Sequence, residues 1–331
     1  MSFTEDGPRK PVTEGIRVDK VSPKAKLGKS VRIILILMMA FIGLIPIFIM
    51  GMTAFKSRSA IVQVPPQLIF EPTLEGIVFL LTDRANLSGK RLEEAKANAG
   101  ELGIFGQVAL RSGQSIRGAS DFVGRLKNSL IISVGSTIFA VTLGLFAAYA
   151  FSRFDIPGKD DLLFFILSTR MLPAVVVTIP LFLMYRQVGL YDTHAGMILL
   201  YTAFNLSLTT WLLKGFIDEI PLEYEEAALV DGYSRFQAFY KIVLPQAATG
   251  IAATTVFAFI FAWNEYAFAL MLTSQNARTA PPAIATMQGR GGIEWSAIAA
   301  GSLVFLIPVV IVTFALRKHL LRGVTFGAIR Q

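Results

Sequence analysis

Residues 217–245, IDEIPLEYEEAALVDGYSRFQAFYKIVLP, lie between two long apolar stretches and contain clear helix start and stop signals. Pro221 is typical of a helix start, and the residues up to Val230 are mostly good helix formers. The pair Asp231-Gly232 then supplies a stop, because glycine adopts the left-handed conformation without a Cβ clash. The pattern predicts a short helix that ends in a tight turn.

A second short helix is predicted directly after this turn. Ser234 can cap it, and Gln237 three residues later completes a capping-box pattern. Pro245 is expected to end this helix and to open the next apolar stretch. The two helices form an elbow, with acidic residues on the first helix and an apolar face, in need of a partner, on the second. This face consists of Phe236, Phe239, Tyr240 and Val243.

The composition indicates that most of the chain lies in lipid. Of its 331 residues, 53% are hydrophobic and 16% are charged, whereas an average soluble domain is about a quarter charged. Only helices and closed barrels can cross a bilayer, because lipid offers no partner to unpaired backbone groups. The sequence therefore predicts an all-α polytopic membrane protein with six transmembrane helices. They are predicted at 31–55, 129–151, 161–185, 195–216, 246–272 and 296–316.

The distribution of basic residues predicts the orientation of these spans. A cytoplasmic N-terminus agrees with the positive-inside rule, because the short outer loops carry little more than Arg186, Arg278 and Arg290. The net charge of +8 then reflects topology and attraction to membrane lipid. No nucleic-acid binding is expected, because no basic stripe alternates with aromatic residues. The predicted cytoplasmic segments are 1–30, 152–160, 217–245 and 317–331.

The chain is thus expected to consist of five parts. They are a cytoplasmic N-terminal tail at 1–30, a first span at 31–55, an outer loop at 56–127, a core of five helices at 128–316 and a cytoplasmic C-terminal tail at 317–331. Small residues recur at every fourth position in two spans and let helices approach closely. Both packing within this chain and a dimer face remain open for them. They are Ala140, Gly144 and Ala148, and Ala297 and Gly301.

The elbow resembles the loop shared by permease subunits of bacterial ABC importers. Its pattern of EAA, DG and I-x-LP is matched in order and spacing by Glu226-Ala227-Ala228, Asp231-Gly232 and Ile242 to Pro245. Other segments are similar to the carbohydrate branch of that family, the maltose-type permeases. They include RMLPAVVVTIPLF at 170–182, FNLSLTTWLLKGF at 204–216 and FAWNEYAFAL at 261–270. The resemblance covers about residues 30–55 and 125–331 and is weak over 56–124.

This resemblance implies a division of labour in the bacterial inner membrane, with the type I ABC importer permease fold. Two permeases pair, an ATPase dimer binds the coupling-helix loop, and a periplasmic or lipid-anchored solute-binding protein delivers a sugar or polyol. The chain is then no enzyme and has no cofactor of its own, because ATP and Mg²⁺ are held by the ATPase. The implied coupling residues are Glu226, Ala227, Ala228, Asp231, Gly232, Phe236, Leu244 and Pro245, with a further ATPase contact at Gly323, Thr325 and Gly327.

Two further groups of residues are candidate sites. Arg170 falls inside a predicted span, with Glu265 as a candidate partner. Arg170, Asn205, Asn264 and Glu265 are predicted either to line the translocation path or to bond helices to one another. The outer loop 274–295 is predicted either to contact the binding protein or simply to connect two spans. Its candidate contact residues are Gln288, Gly289, Arg290, Gly291 and Gly292.

Alternative functions stay open. A stand-alone secondary carrier or channel would use Arg170 and Glu265 as its coupling pair. An ABC importer permease for a non-sugar solute is a further alternative, because the selecting surface lies mostly on the binding protein. A membrane-bound enzyme is not supported, since the sequence contains no G-x-S-x-G or HExxH pattern.

Overall fold

The computed structural model describes the backbone of residues 23–289 and 292–326, and side chains within 30–288 and 292–318. The chain divides into two units, residues 1–49 and 50–331. The first unit contains most of helix α1 (Pro23–Ala54). Apolar side chains of α1 such as Met39 and Phe41 are exposed, as expected for a helix whose surroundings are lipid. Residues 1–22 of the predicted tail 1–30 lie outside the described residues.

The outer segment between α1 and the next long helix is a small folded elaboration. Its two strands form an antiparallel ribbon that pairs Thr82 with Ala119 and Asn86 with Gln114. A short helix, α4, follows Gly89 in this segment. The elements are α2 (Arg58–Ile61), α3 (Glu75–Leu81), β1 (Thr82–Asn86), α4 (Lys90–Ala97), a 3₁₀ turn (Ala99–Glu101), α5 (Ile104–Arg111) and β2 (Gln114–Ala119).

The second long helix, α6 (Phe122–Arg153), begins inside the segment predicted as outer loop 56–127. Phe122 is itself buried, against the cluster that contains Leu80 and Ala300, so α6 starts before the predicted span at 129–151. The predicted boundary between outer loop and membrane stays a prediction. The elements that follow are α7 (Lys159–Ser168), a 3₁₀ turn (Thr169–Met171), α8 (Ala174–Gln187) and α9 (His194–Asp218).

Helices α6 and α9 pack closely through the small-residue stripe. Ala140 and Ala148 are fully buried, and a Cβ atom at Gly144 would collide with the side chain of Thr209. The hydroxyl of Thr209 also donates to the carbonyl of Ala140 at 3.0 Å. The stripe on α6 therefore packs within this chain.

The rest of the chain is mostly helical, and its helices are interrupted at several points. After the elbow, α13 is followed by the short helices α14 and α15, a two-stranded hairpin and the long α16. The bounds are α10 (Glu223–Val230), α11 (Arg235–Ala238), a π-helical turn (Phe239–Val243), α12 (Leu244–Gln246), α13 (Ala248–Trp263), α14 (Ala267–Leu272), α15 (Ala280–Ala285), β3 (Gln288–Gly289), β4 (Gly292–Ile293) and α16 (Trp295–Phe326).

Among the described residues, four helices are long and apolar enough to cross a membrane, and six crossings result if each of two bent helix pairs is one span. One bent pair joins Lys159–Met171 to Ala174–Gln187 at 91°. The predicted third span, 161–185, is therefore broken, at Leu172-Pro173, because a residue before proline avoids the helical region. The other pair, Arg235–Gln246 with Ala248–Trp263, bends by 74°. The predicted all-α membrane fold is confirmed.

Candidate functional sites

The elbow has the local structure that its sequence predicts. Helix α10 ends at Val230 with Asp231 as its C-cap, and Gly232 has a φ of +87°, in the left-handed region. Ser234 and Gln237 form the predicted capping box, with Ser234 Oγ accepting from the Gln237 backbone at 3.2 Å. The Gln237 side chain accepts in return from the Ser234 backbone at 2.8 Å. These bonds fix the direction in which the second helix leaves the turn.

Pro245 does not end this second helix. The chain stays helical through Leu244–Gln246, and the 74° bend follows at Ala247. A π-helical turn precedes the proline, in which the N–H of Leu244 bonds to the carbonyl of Phe239, five residues back. Proline has no N–H group to donate to the helical hydrogen-bond pattern. The wider π turn accommodates the proline, so the helix continues through it.

The predicted apolar face of this helix is divided between two environments. Phe239 and Val243 are buried, and the Phe239 ring lies 4.7 Å from that of Tyr149 on α6. Phe236 and Tyr240 are 67% and 62% exposed. The four positions share no single face because the π turn changes the helical period. Half of the face therefore packs within the chain, and half is open.

The tip of the elbow is open as well. Glu226, Asp231 and Gly232 are exposed, together with Ala227, while Ala228 is buried on the inner side of α10. The elbow therefore exposes two carboxylates, and it also exposes two aromatic rings on its second helix. A surface of this kind suits a partner protein with basic and apolar groups. The assignment of these residues to ATPase contact stays a prediction.

A buried ion pair, which sequence reasoning missed, anchors the elbow to α6. The carboxylate of Glu225 lies 2.5 Å from Arg153 Nε and accepts from the hydroxyl of Tyr149 at 2.8 Å. The side chains of Arg153 and Glu225 are 8% and 6% exposed. Glu225 went unnoticed because an acidic residue on a short polar helix is usually solvated. Its one signal is the i, i+3 spacing to the buried Ala228.

The same guanidinium also binds the end of α9. Arg153 Nη2 donates to the carbonyls of Ile217 at 3.1 Å and Ile220 at 2.8 Å. Arginine suits this position because its planar fork presents several donors at once. One side chain therefore ties α6, α9 and α10 together at the base of the elbow.

The proposed pairing of Arg170 with Glu265 is wrong. Arg170 donates to the carbonyl of Phe204 at 3.4 Å and lies 4.2 Å from the ring centre of Phe261. Glu265 accepts from the hydroxyl of Tyr201 at 2.7 Å. It also accepts from two backbone N–H groups in the first turn of α14, where a carboxylate is favourable. Each side chain contacts other groups, and no ion pair joins the two.

The two asparagines have different environments. Asn205 is buried and donates to the carbonyl of Ala258 on α13 at 3.3 Å, which favours the interhelical alternative for this residue. Asn264 is exposed and lies with Glu265 at the break between α13 and α14. Phe261 is exposed beside them, next to Arg170. A role of this polar surface in translocation stays a prediction.

The base of the loop 274–295 is held by a single carboxylate. Asp192, with a φ of 55°, accepts from the backbone N–H groups of four consecutive residues at 2.9–3.1 Å. Burial alone would raise the pKa of Asp192, but these four donors lower its pKa below the ordinary value. Asn128 adds bonds to the carbonyls of Asn276 and Arg278. The four donors to Asp192 are Ser274, Gln275, Asn276 and Ala277.

The tip of the loop is a short hairpin, in which Gln288 pairs with Ile293 and Gly289 with Gly292. Arg290 and Gly291 lie outside the described residues. At the other predicted contact, Gly323 and Thr325 lie in α16, in a part where only the backbone is described, and Gly327 lies beyond it. Contact of these two segments with partner proteins stays a prediction.

The fold and the anchored elbow define an integral membrane component of a transport system. The chain belongs to the family described as "Binding-protein-dependent transport system inner membrane component", which matches residues 140–326. It is 40% identical to the trehalose transport system permease protein SugB of Mycobacterium tuberculosis, over 63% of this chain and 77% of that protein. It is 30% identical to the probable ABC transporter permease protein y4oR of Sinorhizobium fredii, over 88% and 92%.

A solved structure shares the fold. It is the crystal structure of a bacterial ABC transporter involved in the import of the acidic polysaccharide alginate. The two chains are 20% identical, with a TM-score of 0.61, and the match covers 90% of this chain and 98% of the other. The predicted type I permease fold and the family are therefore confirmed, and the chain is a multi-pass transport component.

Proposed function

We propose that this chain is a permease subunit of an ATP-driven, binding-protein-dependent importer whose cargo is a carbohydrate, either a sugar or a polyol. Membership of the transport family supports the importer, and the similarity to a trehalose permease supports the class of cargo. The polar surface at the α13–α14 break offers the hydrogen-bonding groups that a hydroxyl-rich cargo needs.

In this proposal the elbow faces the cytoplasm of a bacterium, as do both chain termini. Support comes from the basic residues on the same side of the molecule as the elbow, because positive charge concentrates on the cytoplasmic side of inner-membrane proteins. These residues lie at the end of α6, at the start of α7 and on the elbow. They are Arg153, Lys159, Arg235 and Lys241.

Three partners complete the transporter. An ATPase dimer, which holds the ATP and Mg²⁺, binds the exposed elbow residues Glu226, Asp231 and Phe236. A second permease subunit supplies the other half of the path. A solute-binding protein outside the inner membrane meets the hairpin that contains Gln288 and Gly292.

The elbow transmits movement from the ATPase to the membrane helices. Closure of the ATPase dimer displaces α10, and the buried pair of Glu225 with Arg153 transfers this displacement to α6. Arg153 also binds the carbonyls that end α9, so α6 and α9 move together. Their tight packing at Gly144 favours a rigid displacement over local bending. The path then opens alternately to the two sides of the membrane.

The observation that carries this proposal is the exposed left-handed turn at Gly232, next to a buried anchor. A Cβ atom at Gly232 meets no other atom within 4 Å, so a side chain there strains the exposed turn without colliding with the rest of the chain at its Cβ. Gly89 is a matched control, because it also has a positive φ and open space but lies in the outer segment.

We expect Gly232→Val to abolish uptake of a labelled sugar into cells that express the whole transporter, while membrane insertion is unchanged. Gly89→Val also places a side chain at a positive φ, at a cost of about 1–3 kcal/mol, and should retain uptake. Normal uptake by Gly232→Val would contradict the proposal. So would transport without ATP by the lone chain in liposomes, the behaviour of a secondary carrier.

A further inference from the structure

The outer segment begins with a stretch of sequence that carries no charge. Residues 59–70, SAIVQVPPQLIF, contain no acidic or basic side chain, whereas charged residues recur throughout the rest of the segment. The stretch starts in α2 and continues as the loop 62–70, which leads towards α3 and is called the apolar loop below. A loop in water is normally polar, so this composition is unusual for a connection between two short helices.

The aliphatic side chains of the apolar loop do not pack into the core of the chain. Val62, Val64, Leu68 and Ile69 are 67%, 89%, 78% and 95% exposed. Single exposed apolar residues are normal on a protein surface, but a group of four within so short a loop marks a contact surface. The position of the loop decides what it contacts.

Two hydrogen bonds hold the apolar loop at the end of α1. The backbone N–H of Thr73 donates to the carbonyl of Phe55 at 2.8 Å. Lys56 Nζ donates to the carbonyl of Gln67 at 2.5 Å and lies 5.0 Å from the ring centre of Phe70. Phe55 and Lys56 are the first two residues after α1. The returning half of the loop therefore lies within the length of a lysine side chain of the end of that helix.

The end of α1 is also a boundary of the membrane. Ser30–Ala54 is long and apolar enough to cross a bilayer. At a rise of 1.5 Å per residue it extends over about 38 Å, compared with a hydrocarbon core of about 30 Å. The apolar sequence continues to Phe55, and Lys56 is the first charged residue after it. A loop that is bonded to these two residues lies at the level of the lipid headgroups.

The backbone of the apolar loop suits a shallow position in this interface. Irregular backbone is unfavourable in the hydrocarbon core, because its N–H and C=O groups find no partner there. Side chains can still reach the acyl chains from a backbone that stays among the headgroups. Pro65 and Pro66, in the middle of the loop, have no N–H group, so they leave fewer donors to satisfy where water is scarce.

We propose that the apolar loop inserts Val64, Leu68 and Ile69 into the lipid leaflet at which α1 ends, and that it anchors the outer segment to the membrane surface. The partner is lipid because the loop is bonded to the end of a spanning helix and carries no charge that would oppose insertion. Interfacial segments of this kind reach about 5–10 Å into the boundary between headgroups and acyl chains. The anchor is a second membrane contact of the chain, and it is independent of the transported solute.

The test measures how deep the loop lies, with the full chain in nanodiscs of phosphatidylcholine and phosphatidylglycerol. The chain contains no cysteine, so a nitroxide label can be attached to Val64→Cys, Leu68→Cys or Ile69→Cys alone. Power saturation of the electron paramagnetic resonance signal compares access of oxygen, which concentrates in lipid, with access of a water-soluble nickel complex. We expect an oxygen-to-nickel ratio several-fold higher in the loop than at Glu93→Cys, on the exposed polar helix α4. Met39→Cys, on α1, gives the value for lipid.

A charge in the loop tests whether its aliphatic side chains cause the insertion. Val64→Asp in the labelled Ile69→Cys chain should lower the ratio towards that of Glu93→Cys, because a carboxylate resists transfer into lipid. An unchanged ratio in this variant would contradict the proposal. So would loop positions with the same ratio as Glu93→Cys, because the loop would then lie in water. Low access of both oxygen and nickel would overturn it too, because the loop would then be covered by protein, such as a second copy of this chain.

Discussion

Arg153 Nε lies 2.5 Å from Glu225 Oε1, in an ion pair that joins the membrane helix α6 to the exposed elbow. The two side chains are almost fully buried, and Tyr149 satisfies the second carboxylate oxygen. A buried pair of this kind is satisfied only while its elements keep their relative positions. It therefore makes the elbow and the end of α6 a single mechanical unit.

Arg153→Ala should destabilise the protein strongly. The substitution leaves the Glu225 carboxylate buried without its cation, which costs about 3–5 kcal/mol. The double variant Arg153→Met with Glu225→Leu should regain most of this stability, because it removes both charges. The thermal unfolding midpoint of the purified protein in detergent measures both effects. The same double variant should still transport poorly, because the polar link to the end of α9 is absent.

Lys214→Ala is the matched control for this prediction. Lys214 and Asp218 also form an ion pair, at 2.7 Å, but this pair is more exposed and lies within one helix. Its loss should change stability by less than about 1 kcal/mol. A double variant at Arg153 and Glu225 that is no more stable than Arg153→Ala would show that the buried pair is not the source of the destabilisation.

Gly144→Val should separate α6 from α9. The added side chain would meet Thr209 and the backbone of Thr210, and overpacking of this kind costs about 1–3 kcal/mol. Gly215→Val, in α9, is the control, because a Cβ atom there meets nothing within 4 Å. We expect a lower unfolding midpoint for Gly144→Val alone. Equal midpoints for the two variants would argue that α6 and α9 do not pack through this stripe.

The elbow could be predicted in detail because its signals are local. The glycine turn and the capping box each depend on residues within a few positions, and both are present. The prediction failed at Pro245 and on the single apolar face. Both failures have one cause, the π turn at 239–243, which helical periodicity does not reveal.

The anchors of the candidate sites could not be predicted, because their partners are distant in the chain. Glu225 and Arg153 are 72 residues apart, and Asp192 lies 82 residues from Ser274. Periodicity shows which face of an element is apolar but not which elements meet. Arg170 and Glu265 show the opposite error, a predicted contact that does not form. Two opposite charges inside predicted spans suggested an ion pair, but the side chains bond to other groups.

Asp192 should make the stability of the loop 274–295 depend on pH. The pKa of Asp192 is lower in the folded protein than in the unfolded chain, where it is about 3.9. The charged carboxylate therefore stabilises the fold fully above the unfolded pKa, and this stabilisation is lost as the pH falls through the native pKa. At neutral pH, Asp192→Asn should speed amide hydrogen exchange at residues 274–277, because an amide oxygen replaces a charged acceptor. The unchanged chain should unfold at a higher temperature than the variant at pH 7, and this difference should shrink in acid. A difference that stays constant down to acid pH would contradict the assignment.

The orientation and contacts of the elbow can be measured directly because the chain contains no cysteine. Phe236→Cys places a thiol on the exposed aromatic surface of the elbow, and Gln288→Cys places one on the outer hairpin. The measurement is labelling with a membrane-impermeant maleimide in oriented vesicles that contain the whole transporter. We predict that Phe236→Cys reacts only from the cytoplasmic side and only when the ATPase has been stripped away, while Gln288→Cys reacts only from the outside. Labelling of Phe236→Cys from the outside, or equal labelling with the ATPase bound, would contradict the account.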